Sequence, residues 1–263
     1  MNQAMQPQAT RDAFSLAGHR ALVTGSARGI GRAIARALAE YGATVAVHGV
    51  RPSAALDESL ADVRALAPAS AAVTGDLAER GAAAKVVAAA TAAIGAPDIV
   101  IANASVQVRR PWLEVAEEEA LLQMQVNFHA TYQLFQLAFP AMRRQRWGRL
   151  VSVGSVQEVR PHPEMPIYAA SKSALESLVR NLAKQVGVDG VTVNNLCPGV
   201  FATDRNAEAL NDPAYAERVR NGIPTRTFAE PEDAAGAAVL LCSEAGRYIT
   251  GTTLRVDGGM GVA

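Results

Sequence analysis

The sequence predicts an α/β protein built on a doubly wound parallel sheet of about seven strands, with helices on both faces. Short apolar runs rich in β-branched residues alternate with longer segments of helical periodicity along the 263 residues. The strand segments are almost entirely apolar, which is typical of parallel strands covered on both faces. No Gly/Pro/Ser-rich linker or change of composition divides the chain. We therefore expect a flexible N-terminal tail over residues 1–15 and a single domain over residues 16–263.

Seven strands and six main helices are predicted in alternation. The strand segments are residues 20–24, 44–48, 71–74, 98–102, 149–153, 191–195 and 253–256. The helical segments are residues 29–41, 53–66, 79–94, 117–145, 166–186 and 231–244. Pro140 lies inside the fourth helix, which we expect it to kink. Sheets of this kind bind ligands beyond the carboxyl ends of their strands, so the functional residues should follow strand ends.

Composition and charge argue against several classes of partner. The 25 basic and 25 acidic residues balance, so no overall field favours nucleic acid or an anionic membrane. The first residues lack a signal-peptide core, and no apolar run approaches the ~20 residues of a membrane span. Cys197 and Cys242 lack metal-ligand spacing and suit a reducing compartment. We expect a cytoplasmic protein with a small-molecule substrate and with no metal, nucleic-acid or membrane partner.

A glycine-rich loop directly follows the first strand and opens the first helix. It reads Thr24-Gly-Ser-Ala-Arg-Gly-Ile-Gly31. Gly25 permits a tight turn, Gly29 lets the backbone approach a pyrophosphate, and Gly31 lets the helix lie close to the sheet. The helix dipole and the free N–H groups of the first turn favour phosphate. The loop therefore predicts a dinucleotide site in a Rossmann-like fold, formed by Gly25, Ser26, Arg28, Gly29, Ile30 and Gly31.

Tyr168 and Lys172 lie inside an apolar helical stripe. The stripe continues with Leu175, Val179 and Leu182, and helical spacing puts both polar residues on its face. A buried ammonium is costly unless it is paired or used. A cation one helical turn from a tyrosine favours the phenolate and lowers its pKa from the reference value of about 10. We expect Tyr168 and Lys172 to be catalytic.

Two further polar residues are candidates for the same site. Asn127 occurs within the apolar set of the fourth helix, where an amide costs energy unless it is hydrogen-bonded. Ser155 follows the fifth strand, at the edge of the sheet where ligands bind. Neither Asn127 nor Ser155 predicts an active site by itself. Together with Tyr168 and Lys172, however, they make a catalytic site the better interpretation.

These motifs together resemble the single-domain branch of the short-chain dehydrogenase/reductase family, with its Tyr-x-x-x-Lys active site, over about residues 16–260. The glycine spacing, the segment Ala102-Asn103-Ala-Ser105 and the ending Val256-Asp-Gly-Gly-Met260 are similar to those of the family. Ser105 stands where the family usually has glycine. The family's functional positions fall on Asn103, Asn127, Ser155, Tyr168, Lys172, Pro198, Gly199 and Thr203.

The resemblance implies an oxidoreductase that uses a nicotinamide cofactor. Tyr168 would exchange a proton with the substrate oxygen, and Ser155 would hydrogen-bond that oxygen. Lys172 would lower the pKa of the tyrosine and bind the nicotinamide ribose, while Asn127 would hold a water that links Lys172 to solvent. The resemblance also implies a homotetramer and a mobile lid over residues 204–223.

The end of the second strand favours NADP over NAD. NAD-preferring relatives have an aspartate there, whereas Gly49 occupies that place in this chain. The absence of a carboxylate, with Arg51 and Arg28 nearby, suits a 2′-phosphate. By resemblance, Asp76 has the position from which the family contacts adenine, and Leu77 follows it. We expect NADP as the preferred cofactor and NAD as the alternative.

The loops after the fourth, fifth and sixth strands are polar and predict a small polar substrate. Such loops form the substrate pocket in folds of this kind. A sugar, sugar acid or hydroxy acid would suit arginines that point inward. Arg110 and Arg205 lie in the same loops. The candidate substrate contacts are Ser155, Gln157, Tyr168, Arg109, Arg160 and His162.

Two other functions fit parts of the sequence. A 3-oxoacyl-[acyl-carrier-protein] reductase has the same catalytic set. Residues Glu158 to Pro163, however, are charged and contain prolines where such relatives tend to have small, glycine-rich sequence. A catalytically silent cofactor-binding sensor or scaffold is the alternative of another class. It would not need to keep the four catalytic candidates together. We therefore expect an enzyme that acts on CH–OH groups.

Overall fold

The computed structural model describes residues 12–262. The seven predicted strands form one parallel sheet in the order β3-β2-β1-β4-β5-β6-β7. The strands are β1 (Arg20–Val23), β2 (Thr44–Gly49), β3 (Ala71–Thr74), β4 (Ile99–Ala102), β5 (Gly148–Val153), β6 (Val191–Pro198) and β7 (Thr253–Val256). Each strand lies within three residues of its predicted bounds, and the predicted fold class is confirmed.

Helices cover both faces of this sheet. They are α1 (Gly29–Glu40), α2 (Ala54–Leu66), α3 (Ala82–Ile94), α4 (Glu117–Met124), α5 (Ala130–Gln145), α6 (Pro166–Val186), α7 (Asp204–Leu210), α8 (Pro213–Asn221) and α9 (Ala235–Cys242). Side chains of α1, α2 and α9 pack on one face, and those of α3, α5 and α6 pack on the other. Successive strand residues serve the two cores in turn, as Leu22 and Val23 do in β1.

The predicted fourth helix, residues 117–145, is interrupted. A π-helical turn, Gln125–His129, separates α4 from α5, whereas α5 continues through Pro140. The break in α-helical hydrogen bonding therefore lies around Asn127, well before the proline. Its physical reason is tertiary, because Asn127 pairs with the main chain of Val106, 21 residues away. Turns of this kind are frequent at functional sites.

Two other helix starts differ from the predicted ones. The predicted helix 79–94 begins at Ala82, because Gly81 before it has a left-handed backbone with φ of 78°. The predicted helix 231–244 opens with a 3-10 turn, Pro231–Ala234, before α9. The predicted lid, residues 204–223, contains α7 and α8.

The N-terminal part of the chain is described from Asp12 onward, so most of the predicted tail lies outside the described residues. Asp12–Phe14 form a 3-10 turn, and the Phe14 ring lies 6.4 Å from that of Tyr41. Leu16 is fully buried, so the core begins there. Within residues 12–262, no helix is long and apolar enough to cross a membrane.

The strand order reverses between β1 and β4, which are adjacent although two strands intervene in sequence. The loops after these two strands open a crevice, and ligands of doubly wound sheets bind there. The glycine loop follows β1, Asn103 follows β4, and Ser155 follows β5. The fold thus brings the predicted functional residues to one edge of the sheet.

Candidate active site

The glycine loop is held tightly against the loop after β4. A Cβ added to Gly31 would lie 2.4 Å from Asn103 Nδ2 and 2.5 Å from the Gly25 carbonyl oxygen. Gly25 itself has φ of 63°, which favours glycine. Asn103 Nδ2 donates to the carbonyl oxygens of Thr24 and Gly25 at 2.9 and 3.0 Å. Asn103 therefore fixes the loop, and only glycine fits at position 31.

The start of α1 can accept an anion. Arg28 is its N-cap residue and makes no side-chain capping hydrogen bond. The first-turn N–H groups, including those of Gly29, Ile30 and Gly31, have no intrahelical partners, so they are available to phosphate. The glycine loop leaves space that any larger side chain would fill, and this space adjoins a helix start with free N–H groups. Both features fit a dinucleotide pyrophosphate.

Ser26 faces inward and supports the loop from below. Its hydroxyl donates to the Val23 carbonyl and accepts the His48 N–H, both at 2.8 Å. The Ser26 N–H donates to the His48 carbonyl at 3.0 Å. Both polar groups of Ser26 that could donate to a phosphate are therefore engaged within the protein. The predicted contact of Ser26 with the cofactor stays a prediction.

His48 links the glycine loop to the end of β3. Its Nδ1 accepts the Gly25 N–H at 3.1 Å, so Nε2 carries the proton and donates to the Gly75 carbonyl at 3.0 Å. Burial lowers the pKa of His48 below its ordinary value of 6.5, despite the bond to Gly75 and the nearby Asp76. The neutral ring is required, because a protonated Nδ1 could not accept from Gly25.

The predicted adenosine contacts lie at the ends of β2 and β3. Arg51 is exposed in the turn after β2, and no ion-pair partner for it occurs within the described chain. Asp76 follows β3, and its carboxylate accepts the Ala78 N–H at 2.9 Å. Leu77 is buried beside it. Arg51 is thus an unpaired cation next to the predicted nucleotide site.

Tyr168 and Lys172 lie on the buried face of α6, as predicted, with 5% and 2% of their surfaces exposed. Lys172 Nζ donates to the Val153 carbonyl at 2.6 Å and lies 5.6 Å from the centre of the Tyr168 ring. Burial, reinforced by the Arg205 cation, lowers the pKa of Lys172 to about 7. Because β5 supplies the carbonyl, the lysine is anchored at the strand edge that leads to Ser155.

The electrostatic surroundings of Tyr168 include a residue that the sequence did not assign to the site. Burial raises the pKa of Tyr168, whereas Arg205 and the hydrogen-bonding neighbour Ser155 act to lower it. The predicted lowering of this pKa by Lys172 stays a prediction. Arg205, at the start of the lid, is therefore part of the surroundings of the tyrosine hydroxyl.

Ser155 is held by a half-buried carboxylate, that of Glu158. The Ser155 N–H donates to Glu158 Oε1 at 3.0 Å, and the serine hydroxyl accepts the Gln157 N–H at 3.2 Å. Asn195 of β6 donates to both Glu158 oxygens at 3.0 Å. Burial raises the pKa of Glu158, while the bonds from Asn195 and Ser155 oppose this. Glu158 fixes the serine backbone without contacting the open crevice.

The Asn127 amide is buried and paired with the main chain. Its Oδ1 accepts the Val106 N–H at 2.8 Å, and its Nδ2 donates to the Val106 carbonyl at 2.9 Å and to Ser171 Oγ at 3.0 Å. Asn127 thereby ties the π-helical turn to the loop after β4 and to α6. Its predicted water contact stays a prediction, with both side-chain donors already used.

The lid contacts both sides of the crevice. Arg28 of the glycine loop pairs with Asp204 at 3.4 Å, and Arg205 donates to the hydroxyl and the carbonyl of Ser105, both at 2.8 Å. Thr203 is the N-cap residue of α7, and its Cγ2 would lie 3.5 Å from a Cβ on Gly29. Pro198 ends β6 and Gly199 follows it. This segment therefore connects the sheet edge at the crevice to the predicted lid.

The predicted substrate contacts separate into two groups. Arg109 pairs with Glu164 at 2.6 Å, and Arg160 donates to the carbonyls of Gly222 and Met260, so both bind other parts of the rim. Gln157 Oε1 accepts the His162 N–H at 2.5 Å. Burial, with Arg109 nearby, lowers the pKa of His162, which favours a neutral ring. Ser155 and Tyr168 are the candidates that meet directly.

Comparison with known proteins assigns the family. A model described as enoyl-(acyl carrier protein) reductase matches residues 25–261. Gluconate 5-dehydrogenase of Gluconobacter oxydans is 34% identical over 252 residues, covering 96% of this chain and 98% of that protein. L-rhamnose 1-dehydrogenase (NAD(P)(+)) of Azotobacter vinelandii is 36% identical over 243 residues, covering 91% of this chain and 95% of that protein. The chain belongs to the short-chain dehydrogenase/reductase family.

Two solved structures show the same fold. A 3-oxoacyl (acyl-carrier-protein) reductase of Agrobacterium tumefaciens C58 with NADP bound has a TM-score of 0.91 and 36% identity, covering 97% of this chain and 99% of that one. A gluconate 5-dehydrogenase of Burkholderia cenocepacia J2315, in complex with NADP and tartrate, has a TM-score of 0.91 and 30% identity, covering 97% and 100%. The chain is accordingly an NAD(P)-dependent oxidoreductase of this family that acts on CH–OH groups.

Three residues of the site were not assigned from the sequence. Glu158 had a local signal, because Ser155 and Glu158 have the Ser-x-x-Glu spacing of a capping box. Arg205 had a weaker signal, its place in a polar loop expected to form the substrate pocket, and His48 had none, since its partner Gly25 lies 23 residues away. Such contacts become visible only once the chain is folded.

We predict that Gly31→Ala disrupts the cofactor loop. The new methyl group would meet Asn103 and the Gly25 backbone, so the free energy of unfolding should fall by about 1–3 kcal/mol and cofactor affinity should drop. Gly236→Ala in α9 is the matched control. A Cβ there meets no atom within 4 Å, so alanine should stabilise the helix by up to about 1 kcal/mol. Urea unfolding measures both changes, and equal effects would contradict the prediction.

We also predict a pH-dependent contribution of His48 to stability. Its folded pKa lies below the ordinary value of 6.5, so its contribution is fully present above that pH and is lost as the pH falls through the folded pKa. His48→Asn keeps an acceptor for Gly25 and removes this titration. Between about pH 7.5 and about pH 5.5, urea unfolding should show a smaller loss for the variant than for the wild type. Parallel losses would disprove the assignment.

Proposed function

We propose that this enzyme interconverts a secondary alcohol and a carbonyl on a small polar substrate, with NADP as its preferred cofactor. The substrate classes are sugars, sugar acids and hydroxy acids. The observation that carries the proposal is the convergence of Ser155, Tyr168 and Lys172 beside the glycine loop, in a pocket with a polar rim. The similarity to gluconate and L-rhamnose dehydrogenases supports the substrate classes.

The proposed mechanism couples proton transfer by the protein to hydride transfer. A bound nicotinamide would supply the hydride in reduction and accept it in oxidation. Tyr168 gives its proton to the carbonyl oxygen in reduction and takes it from the alcohol in oxidation, while Ser155 hydrogen-bonds the same oxygen. Lys172 would hold the ribose and favour the phenolate, and Glu158 would keep Ser155 in position. The pyrophosphate would lie against the glycine loop, whose close approach depends on Gly25, Gly29, Gly31 and Asn103.

The preference for NADP rests on the charges at the end of β2. Gly49 offers no carboxylate to repel a 2′-phosphate, and Arg51 has no ion-pair partner in the described part of the chain. Arg51 also lies just before the start of α2, where a helix dipole favours an anion. One N–H of this helix start, that of Leu56, is already bonded to the Ser53 hydroxyl at 3.3 Å. NADP is bound in both solved relatives described above.

A homotetramer and a cytoplasmic location are part of the proposal. Support for assembly comes from the segment leading into α4 and α5, where Trp112, Leu113, Leu121, Tyr132 and Leu137 are exposed. No large apolar residue is similarly exposed along the described α6, so the exposed apolar surface that supports assembly lies on α4, α5 and the turn before them. The two cysteines are free and buried, which suits a reducing compartment.

A 3-oxoacyl-[acyl-carrier-protein] reductase is the second candidate. The 36% identity to the Agrobacterium tumefaciens structure favours it. Against it stands the rim after β5, where Arg160 and the His162 loop are polar and held in place by hydrogen bonds. Turnover of long-chain 3-oxoacyl thioesters in preference to sugars and hydroxy acids would favour this second function.

We predict that Tyr168→Phe abolishes turnover while cofactor affinity stays nearly unchanged. The variant loses the only exchangeable proton of the tyrosine but keeps its ring. The measurements are cofactor-linked absorbance with a panel of alcohols and carbonyls, and NADPH binding by fluorescence. Tyr248→Phe is the matched control, since Tyr248 is 98% exposed, and it should behave like the wild type. Retained carbonyl reduction by Tyr168→Phe would refute the mechanism.

We predict tighter binding of NADPH than of NADH, with Arg51 as one source of the difference. Arg51→Gln should weaken NADPH roughly tenfold, the effect of losing one charge-assisted hydrogen bond, and leave NADH almost unchanged. Arg64→Gln is the control, because Arg64 lies in α2 and is already bonded to the Ser70 carbonyl. This variant should bind both cofactors like the wild type. Dissociation constants for both cofactors decide the point. Tighter NADH in the wild type would reverse the assignment.

A further inference from the structure

The arginines around the crevice differ in what neutralises them. Arg109 pairs with Glu164 at 2.6 Å, Arg110 with Glu119 at 3.0 Å, and Arg28 with Asp204 at 3.4 Å. Each of these cations therefore has a carboxylate partner. Arg205 donates to the hydroxyl and the carbonyl of Ser105 and hydrogen-bonds the Tyr168 hydroxyl, all neutral partners. Arg160 likewise donates to carbonyl oxygens, but these belong to Gly222 and Met260.

Arg205 is also the arginine that lies nearest to the reacting atoms. It acts on the hydroxyl of Tyr168 and on the ammonium of Lys172, although it belongs to the lid. Two of its donors are oriented by Ser105, the residue that stands where relatives have glycine. A guanidinium has five donors in a planar fork, so donors remain for another ligand.

We infer that Arg205 is the carboxylate-binding residue of the substrate pocket, and that the substrate is a hydroxy acid or its oxo acid rather than a neutral sugar. This inference rests on the proposed function and narrows its substrate class. A carboxylate would complete the ion pair that Arg205 lacks, and charge-assisted hydrogen bonds of this kind are stronger than neutral ones. Ser105 would orient the guanidinium toward it.

The charge distribution supports an anionic ligand. Arg205 and Lys172 are cations of the same crevice, and their repulsion contributes to the lowered pKa of Lys172. The acidic group behind them, Glu158, is occupied by Asn195 and the Ser155 N–H. A substrate carboxylate beside Arg205 would offset this repulsion and favour the charged lysine. A neutral polyol would leave both cations uncompensated.

The test compares hydroxy acids with their primary amides, which have nearly the same shape without the charge. The wild type should prefer acid over amide, for example D-gluconate over D-gluconamide, by roughly ten- to hundredfold in kcat/KM. Arg205→Gln should remove this preference by raising KM for the acid, and Arg205→Lys should retain part of it. Arg110→Gln, a rim arginine with a carboxylate partner, is the matched control and should keep the wild-type preference.

Four outcomes of this comparison would overturn the inference. The first is an acid preference that survives in Arg205→Gln, and the second is an equal loss for acid and amide, which would indicate a general effect on the lid. The third is weaker NADPH binding by Arg205→Gln with unchanged KM for the acid, which would make Arg205 a cofactor residue. Equal turnover of acid and amide by the wild type would also contradict it while leaving the proposed function intact.

Tartrate binding separates this inference from the proposed function. Tartrate carries two carboxylates, and calorimetry in the presence of NADP measures its affinity without turnover. The wild type should bind it, and Arg205→Gln should bind it roughly tenfold more weakly. If no alcohol or carbonyl is turned over, the proposed function fails, and the tartrate affinities still decide the role of Arg205. Equal affinities of the two proteins would rule that role out.

Discussion

The burial of Lys172 is the constraint on which the rest of the site depends. An ammonium taken out of water must be compensated, and the Val153 carbonyl at the end of β5 supplies the hydrogen bond. This contact fixes the position of α6 against the sheet, so Tyr168, one turn earlier, faces the edge from which Ser155 projects. This polar contact in an apolar helix face thus couples the packing of α6 to the position of Tyr168, the proposed proton donor. Replacing the lysine would remove both functions at once.

Around Tyr168 and Lys172, polar side chains hold the main chain of the surrounding loops by hydrogen bonds. Asn103 holds the glycine loop, Glu158 holds the Ser155 N–H, and Asn127 holds the loop after β4. Each is a carboxamide or carboxylate that bonds to main-chain atoms; Asn127 is buried, and Asn103 and Glu158 are half-buried. Because loops after parallel strands are otherwise free to move, such anchors position the crevice before any ligand arrives. The polar residues that look misplaced within apolar segments are therefore the ones that hold the site together.

The sequence was sufficient for the strands, the glycine loop and the Tyr168–Lys172 pair, because these depend on local periodicity and spacing. It was insufficient wherever a contact far along the chain decides the local structure. The π-helical turn exists because Asn127 reaches Val106, and periodicity alone extended one helix through it. Arg109 and Arg160 were expected in the substrate pocket, yet Arg109 pairs with Glu164 and Arg160 binds carbonyls of the lid end and the C-terminal turn. Sequence shows that a loop has arginines, and only the fold shows which of them are already paired.

That distinction underlies the proposed role of Arg205 in substrate recognition. Three arginines near the crevice, Arg28, Arg109 and Arg110, pair with carboxylates, whereas Arg160 donates to carbonyl oxygens. Arg205 is held instead by Ser105, a neutral partner that orients the guanidinium without neutralising it. The neighbouring residue Asp204, which could have paired with Arg205, is bound to Arg28. The pairing of Asp204 with the glycine loop thus leaves one positive charge of the lid directed at the catalytic tyrosine.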